Sequence, residues 1–225
     1  MTVTRILLVL LVALVSTTTA ASQHDTDGNW VNPQLLSFHE QFATPRLQKL
    51  SKRVYGAFAF EYYNFTFIEG EDGVIVVYTG WYQGGMTRAL AAFRKISNKP
   101  VVALIYTHSH LDHTGASKVL LAEAGDSPIA VYAAKNWQHY LNYSQSPLRP
   151  MVIRRAFGQM GTLVPKGKNG TEGAGIGPNP GQAGETGLII TTGGIVTRSA
   201  SDITGVDLAV IPTGGEISEH ALVAV

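Results

Sequence analysis

A polar stretch of six residues, 108–113, most constrains what this chain can fold into. It reads His-Ser-His-Leu-Asp-His and holds three of the seven histidines of the chain. It follows an apolar run over residues 101–107, whose length and β-branched composition predict a buried strand. A predicted helix over residues 114–125 comes next. The sequence therefore predicts a histidine-rich loop at the tip of a buried strand.

The spacing of the polar side chains in this loop predicts a metal site. Residues two apart on an extended backbone point to the same side, so His108 and His110 can share one metal ion. Asp112 and His113 come one turn later and can reach a second ion. Neutral imidazole and carboxylate ligands suit zinc, with manganese and iron as alternatives. The competing interpretation is a polar loop whose histidines fall together by chance.

Composition limits the class of protein. A length of 225 residues predicts one domain, or one domain with part of a second. A hydrophobic content of 45% and a charged content of 15% are typical of a globular chain. The formal net charge of +1 gives no indication of a nucleic-acid partner. Because the chain has no cysteine, disulfides and thiolate metal sites are excluded.

The first 21 residues have the pattern of a secretory signal peptide. Arg5 supplies the positive charge, residues 6–15 are apolar, and a run of small residues ends at Ala20 and Ala21. Ten apolar residues are too few to span a bilayer, so an uncleaved anchor is the weaker alternative, and no other run approaches that length. The sequence therefore predicts a secreted protein without a stable membrane span.

Three sequons predict glycosylation if the chain is secreted by a eukaryotic cell. Their asparagines are Asn64, Asn142 and Asn169. A secreted chain without cysteine depends on a large core, and not on disulfides, for its stability.

Strands and helices alternate in the middle of the chain, which predicts an α/β fold with parallel pairing. Residues 22–50 are predicted to be a lead-in with a helix over residues 34–50, interrupted near Pro45. Further predicted strands are residues 55–60, 64–69, 74–78, 129–132, 188–191, 195–197, 207–211 and 221–225, and further predicted helices are residues 84–96 and 134–143. A less regular region is predicted from Pro147, followed by a glycine-rich segment over residues 158–187.

These elements supply about half of a layered sandwich, since a sheet with helices on one side needs cover on its other face. The chain also stops inside an apolar run, residues 221–225. Such a run is a poor place for a native chain to end, which predicts a truncated product. The alternative is a compact domain that ends with an edge strand.

The approach into residues 107–115, Thr-His-Ser-His-Leu-Asp-His-Thr-Gly, resembles the metallo-β-lactamase superfamily. Three further stretches, residues 67–70, 73–77 and 173–178, resemble the zinc-dependent alkyl sulfatase family, and the similarity runs over about residues 50–225. The resemblance implies a metallo-β-lactamase-like αβ/βα sandwich over residues 51–225, with its N-terminal half and part of the second sheet present. In those enzymes a helical dimerisation domain and a sterol-carrier-like domain follow. Without them we do not expect the chain to dimerise.

The resemblance also implies a pair of zinc ions. His108, His110 and Glu216 would hold one ion, and Asp112 and His113 would contribute to the other, with Asp112 in a catalytic position. The family's bridging glutamate and last metal-binding histidine lie downstream of the end of this chain. Many members of the superfamily also carry an aspartate where this chain has Tyr78.

The implied reaction is the release of sulfate from long-chain alkyl sulfate esters by metal-activated water. Arg155, with Arg149 and Arg154 beside it, is a candidate for binding the sulfate, and a solvated helix end is the alternative. Two other functions remain open: a secreted metal-binding fragment with impaired catalysis, and a hydrolase of thioesters or lactones. Glu216, where such hydrolases usually have a histidine, argues against the last of these.

Overall fold

A computed structural model describes residues 23–24, 30–31, 33–42, 44–159, 184–190, 193–195, 199–213 and 221–224. Strands β1 (Gln23–His24) and β2 (Trp30–Val31) pair with each other, and helix α1 (Pro33–Glu40) follows them. The main body begins after α1 and consists of two sheets and five helices among the described residues.

The larger sheet has seven strands, which lie in the same order in space as in the sequence. Strands β3 to β6 pair antiparallel, and strands β6 to β9 pair parallel. The strands are β3 (Arg46–Lys49), β4 (Val54–Phe58), β5 (Phe65–Glu69), β6 (Val74–Val77), β7 (Val101–Ile105), β8 (Ala130–Ala134) and β9 (Gly193–Ile195). Parallel neighbours require crossovers, and helices supply those after β6 and β7.

Helices cover one face of this sheet. They are α2 (Gln83–Phe93), α3 (Leu111–Thr114), α4 (Lys118–Ala124) and α5 (Trp137–Gln145), and α6 (Arg149–Gln159) follows α5 with mostly exposed side chains. Strand residues such as Phe67 and Val76 pack with Met86, Phe93 and Leu120 of the helices in one buried cluster. The rings of Phe67 and Phe93 stack with centroids 4.5 Å apart. Burial of these apolar side chains holds the helical layer to the sheet.

A second, three-stranded antiparallel sheet packs on the opposite face. It consists of β10 (Ser199–Ile203), β11 (Val206–Pro212) and β12 (Ala221–Ala224). Val206, Leu208 and Val210 point into a second buried cluster with Ile75 and Ile105 of the larger sheet. Since side chains alternate along a strand, β6 contributes to both clusters. The result is a layer of helices, a seven-stranded sheet and a three-stranded sheet.

The predicted α/β fold with a metallo-β-lactamase-like layered sandwich is confirmed, and three local predictions are wrong. The helix predicted over residues 34–50 ends at Glu40, and β3 forms where its second half was expected, because this segment pairs with β4. Helix α6 begins at Arg149, in the region predicted to be irregular; Pro150 is tolerated in a first helical turn. Residues 188–190 form no strand; their backbone bonds instead to Ser117 and Tyr106 side chains.

The predicted signal peptide over residues 1–21 lies outside the described residues, and so does most of the glycine-rich segment. No helix among the residues that the structure describes is long and apolar enough to cross a membrane.

Candidate metal centre

The histidine-rich loop lies at the carboxyl end of β7; His108 and His110 precede helix α3, and Asp112 and His113 lie within it. Its backbone is fixed by its neighbours: the indole N–H of Trp137 donates to the His108 carbonyl at 2.9 Å, and Thr79 N–H donates to the His113 carbonyl at 2.9 Å. The Thr114 hydroxyl donates to the His110 carbonyl at 3.2 Å. These hydrogen bonds fix the backbone of the loop and so limit the directions in which its side chains can point.

The three imidazoles of the loop form one cluster. The ring centroids of His108 and His110 are 4.8 Å apart, and those of His108 and His113 are 4.1 Å apart. Two imidazoles sharing a zinc ion, with Zn–N bonds of about 2.1 Å in near-tetrahedral arrangement, have centroids about 5 Å apart. The pair predicted to share an ion therefore has a spacing close to that of two zinc ligands.

Asp112 lies against His113 and Tyr63. Its Oδ2 is 3.2 Å from Nε2 of His113. Burial by itself would raise the pKa of this carboxyl, but the hydrogen bond and electrostatic attraction of His113, together with a hydrogen bond from Tyr63, lower the pKa to about 2. Asp112 is therefore an anion throughout the physiological pH range, as a metal-binding carboxylate must be.

Two tyrosines pack on His113. The ring centroid of Tyr63 is 4.2 Å from that of His113, and the ring centroid of Tyr78 is 4.8 Å from it. Tyr78 has a φ of 67°, in the left-handed region where a bulky side chain is uncommon. At the position where the resemblance implied an aspartate, an aromatic ring therefore contacts the histidine. No motif in the sequence indicates that Tyr63 belongs to the site.

A buried glutamate, Glu61, supports the same region. Its Oε1 accepts the backbone N–H groups of Trp81 and Tyr82 at 2.8 and 2.9 Å. Burial raises the pKa of Glu61 to about 7, opposed by these two hydrogen bonds and assisted by the nearby charge of Asp112. Glu61 was not among the predicted site residues, because it is 47 residues before the histidine loop and matches no metal-ligand spacing.

The chemistry of the donor set fits a zinc ion. Nδ1 of His113 is buried and has no hydrogen-bond partner, which is costly for an imidazole unless something else binds it. The hydroxyl of Thr107 lies 3.1 Å from Nδ1 of His108, a contact of the kind that orients a metal-binding imidazole. Within the described part of the chain, however, no three His, Asp or Glu side chains are arranged so that they could already hold an ion.

The other predicted site residues lie elsewhere. Glu216 and Asn169 are outside the described residues. Arg155 is exposed on α6. Asn64 and Asn142 are both exposed, as glycosylation requires. The roles of these residues, like the metal-binding roles of the histidines and Asp112, stay predictions.

Comparisons with known proteins find alkylsulfatases and, over a shorter segment of 49 residues, an O-demethylase subunit of a Nocardioides species. The chain is 31% identical over 113 residues to a linear primary-alkylsulfatase of a Pseudomonas species, a match covering 49% of this chain and 21% of the relative. It is 35% identical over 101 residues to an alkyl/aryl-sulfatase of Saccharomyces cerevisiae, covering 44% of this chain and 16% of the relative. The chain thus spans about a fifth of the length of the curated relatives it matches.

The fold has a matching solved structure. A stereoselective inverting sec-alkylsulfatase from a Pseudomonas species superposes with a TM-score of 0.73 at 20% identity, covering 91% of this chain and 36% of that chain. At this identity the match shows the shared fold alone. The profile of the family described as the metallo-beta-lactamase superfamily matches residues 59–206, well over half of the chain. The chain with the histidine loop at the end of β7 belongs to the metallo-beta-lactamase superfamily.

Proposed function

We propose that this chain is a zinc-dependent hydrolase of the alkylsulfatase type, which releases sulfate from long-chain alkyl sulfate esters. The observation that carries the proposal is the cluster of three imidazoles and the ionised Asp112 at the carboxyl end of β7. Two comparisons support the proposal. Segments of this chain are similar to alkylsulfatases, and the chain belongs to the metallo-beta-lactamase superfamily.

In this proposal His108, His110 and Glu216 bind one zinc ion. Asp112 and His113 contribute ligands to a second zinc ion. Bound zinc supplies a Lewis acid that makes hydroxide available near neutral pH. The side chains around the ligands keep them in place: Thr107 orients His108, Tyr63 holds the Asp112 carboxylate, and Trp137 fixes the backbone at His108.

The proposal also includes secretion, sulfate binding and glycosylation. Residues 1–21 direct the chain out of the cell and are then removed. Arg155 presents a guanidinium group to the sulfate, for which a planar donor pair is well suited. The Asn64 and Asn142 side chains, both exposed, carry glycans in a eukaryotic host.

A direct measurement of sulfate release tests the activity. The purified chain is incubated with zinc and dodecyl sulfate below its micellar concentration, and free sulfate is measured by ion chromatography. A double variant, His108→Ala with His110→Ala, serves as the control and is expected to release sulfate at least about 100-fold more slowly, because it loses two ligands of one ion. Equal rates for the two proteins would contradict the proposal.

A second candidate is a metal-binding chain without turnover. It is favoured by one observation: within the described residues no three side chains are arranged to hold an ion. Zinc content separates the two candidates. Two ions per chain with sulfate release support the hydrolase, whereas one ion or none, without sulfate release, supports the second candidate.

A further inference from the structure

Glu61 joins two loops that border the histidine cluster. It lies in the loop of residues 59–64, between β4 and β5, and only 1% of its surface is exposed. Its Oε1 accepts the N–H groups of Trp81 and Tyr82, in the loop of residues 78–82 that precedes α2. One carboxylate oxygen therefore fastens the second loop to the first.

Each of these two loops places a tyrosine on His113. Tyr63, from the first loop, lies with its ring centroid 4.2 Å from that of His113 and hydrogen-bonds Asp112. Tyr78, from the second loop, lies with its centroid 4.8 Å away. The next residue, Thr79, donates its backbone N–H to the His113 carbonyl at 2.9 Å. The spacing of the two loops thus sets the surroundings of His113.

The packing around Glu61 leaves its side chain no freedom. A Cβ atom added at Gly85 would lie 3.0 Å from both Cβ and Oε2 of Glu61. Gly80, with a φ of 77°, lies directly against Oε2, where a side chain would overlap it. The two glycines therefore form a cradle for the carboxyl group: Gly80 requires the absence of a side chain, and a methyl group at Gly85 would displace Glu61 slightly.

The second carboxylate oxygen of Glu61 lowers the stability of the fold. Oε2 is buried and has no hydrogen-bond partner. The charged and titratable groups that act on this carboxyl from the neighbouring elements are Asp112, Arg88, Tyr62 and Tyr82. Arg88 donates to the Phe60 carbonyl at 2.8 Å. An unpaired buried oxygen that weakens the fold is typical of a residue kept for function.

We propose that Glu61 is a positioning residue for the metal centre. It holds the loop of residues 78–82 against the loop of residues 59–64, so that Tyr63, Tyr78 and Thr79 keep His113 and Asp112 aligned for a metal ion. The inference rests on the metal site in the proposed function, and for that reason its first test uses the chain without metal.

Amide hydrogen exchange, followed by NMR on the zinc-free chain, is the first test. In Glu61→Gln the amide oxygen still accepts both N–H groups, so the exchange of Trp81 and Tyr82 is expected to stay within about twofold of the parent chain. In Glu61→Ala we expect exchange at least about tenfold faster at Trp81 and Tyr82, and also at Thr79. Unchanged exchange of Thr79 in Glu61→Ala would overturn the proposal, because the effect would then stop short of His113.

Zinc affinity, measured by equilibrium dialysis, is the second test and uses a pair of adjacent glycines. Gly85→Ala presses on Glu61, whereas Gly84→Ala meets only the Arg88 side chain at 3.5 Å, an ordinary contact. Both gain the same helix-forming residue in the first turn of α2. We expect zinc affinity to fall about 10–100-fold in Gly85→Ala and to stay within about twofold in Gly84→Ala.

Circular dichroism first establishes that each variant is folded. Glu61→Gln should bind zinc within about threefold of the parent chain, as rescue by the conservative variant requires. Equal zinc affinities in Gly84→Ala and Gly85→Ala, with both folded, would overturn the positioning role. If the parent chain itself bound no zinc, the proposed function would fail, and the exchange of Thr79 in the zinc-free chain would still decide whether Glu61 positions His113.

Discussion

Glu61 also makes the stability of the chain depend on pH. In the folded chain burial raises its pKa from the ordinary value of 4.5 to about 7. Between these pH values the folded chain holds a proton that the unfolded chain has released, so stability is full below pH 4.5 and is lost as the pH rises through 7. The difference between the two pKa values corresponds to about 3 kcal/mol, at about 1.4 kcal/mol for each tenfold change in the equilibrium.

The substitution Glu61→Gln removes this proton and keeps the shape of the side chain. The free energy of unfolding of the parent chain is therefore expected to fall between pH 4.5 and pH 8 by about 3 kcal/mol more than that of Glu61→Gln. Urea denaturation at a series of pH values, followed by tryptophan fluorescence, measures the difference. Parallel pH profiles for the two chains would show that Glu61 titrates at its ordinary value.

The pattern of residues identifies the candidate ligands of the centre, which the structure brings together, but not the side chains around them. The spacing in residues 108–113 identifies three imidazoles and a carboxylate, because they share one short segment. Tyr63 and Glu61 reach the same place only through the hairpin of β4 and β5. Nothing in the local sequence of that hairpin marks the contact, which arises from the pairing of distant strands.

Among the elements, the segment of residues 184–190 is held to the turn between α3 and α4 by backbone hydrogen bonds of Gly187 with Gly115 and Lys118, and by the side chain of Ser117. The Ser117 hydroxyl donates to the Gly187 carbonyl at 3.2 Å and accepts the Ile189 N–H at 2.8 Å. Ser117 is fully buried, between α3 and α4. The segment is also anchored by the Tyr106 hydroxyl, which donates to the Ile189 carbonyl at 3.0 Å.

The substitution Ser117→Ala leaves the Ile189 N–H without this partner, whereas the Gly187 carbonyl still accepts the Lys118 N–H at 2.8 Å. We expect it to lower the free energy of unfolding by about 1–3 kcal/mol and to expose residues 184–190 to proteases. Ser146→Ala, at an exposed position after α5, is the control and should change stability by less than about 0.5 kcal/mol. Denaturation and limited proteolysis measure the two effects, and equal behaviour of the variants would show that Ser117 does not anchor the segment.

Elements with a strong apolar pattern are predictable from the sequence, and those made by pairing are not. Strands β6 and β7 appear as short apolar runs, since they are almost wholly buried. Strand β3 has the polar sequence Arg-Leu-Gln-Lys and exists because it extends the sheet beside β4. Such an edge strand takes its conformation from tertiary contacts, which override local propensity.

At the scale of the whole molecule, the two sheets are joined by a small apolar interface. Leu208 of β11 is 2% exposed and packs in the cluster that contains Ile75 and Ile105 of the larger sheet. Polar contacts at one end supplement it: Glu71 N–H donates to the Thr204 carbonyl at 2.6 Å. The smaller sheet therefore depends on a few apolar side chains for its attachment.

Truncation of one of those side chains tests the attachment. Leu208→Ala is expected to lower the free energy of unfolding by about 2–5 kcal/mol, through lost burial and the cavity that remains. Leu121→Ala removes the same atoms from a residue that is 42% exposed on α4, and should cost less than about 1 kcal/mol. Chemical denaturation compares the two variants. A similar small loss in both would indicate that the sheets are not packed together as described.

The arrangement of the larger sheet has a consequence for the order of folding. Strands β3 to β6 pair with their neighbours in sequence, so each pairing closes only a short loop. The contact of Thr79 with His113 spans 34 residues and follows the parallel pairing of β6 with β7. Contacts of larger sequence separation form more slowly. We therefore expect the antiparallel half to form early and the histidine cluster late, so that zinc uptake during refolding would report the completion of the fold.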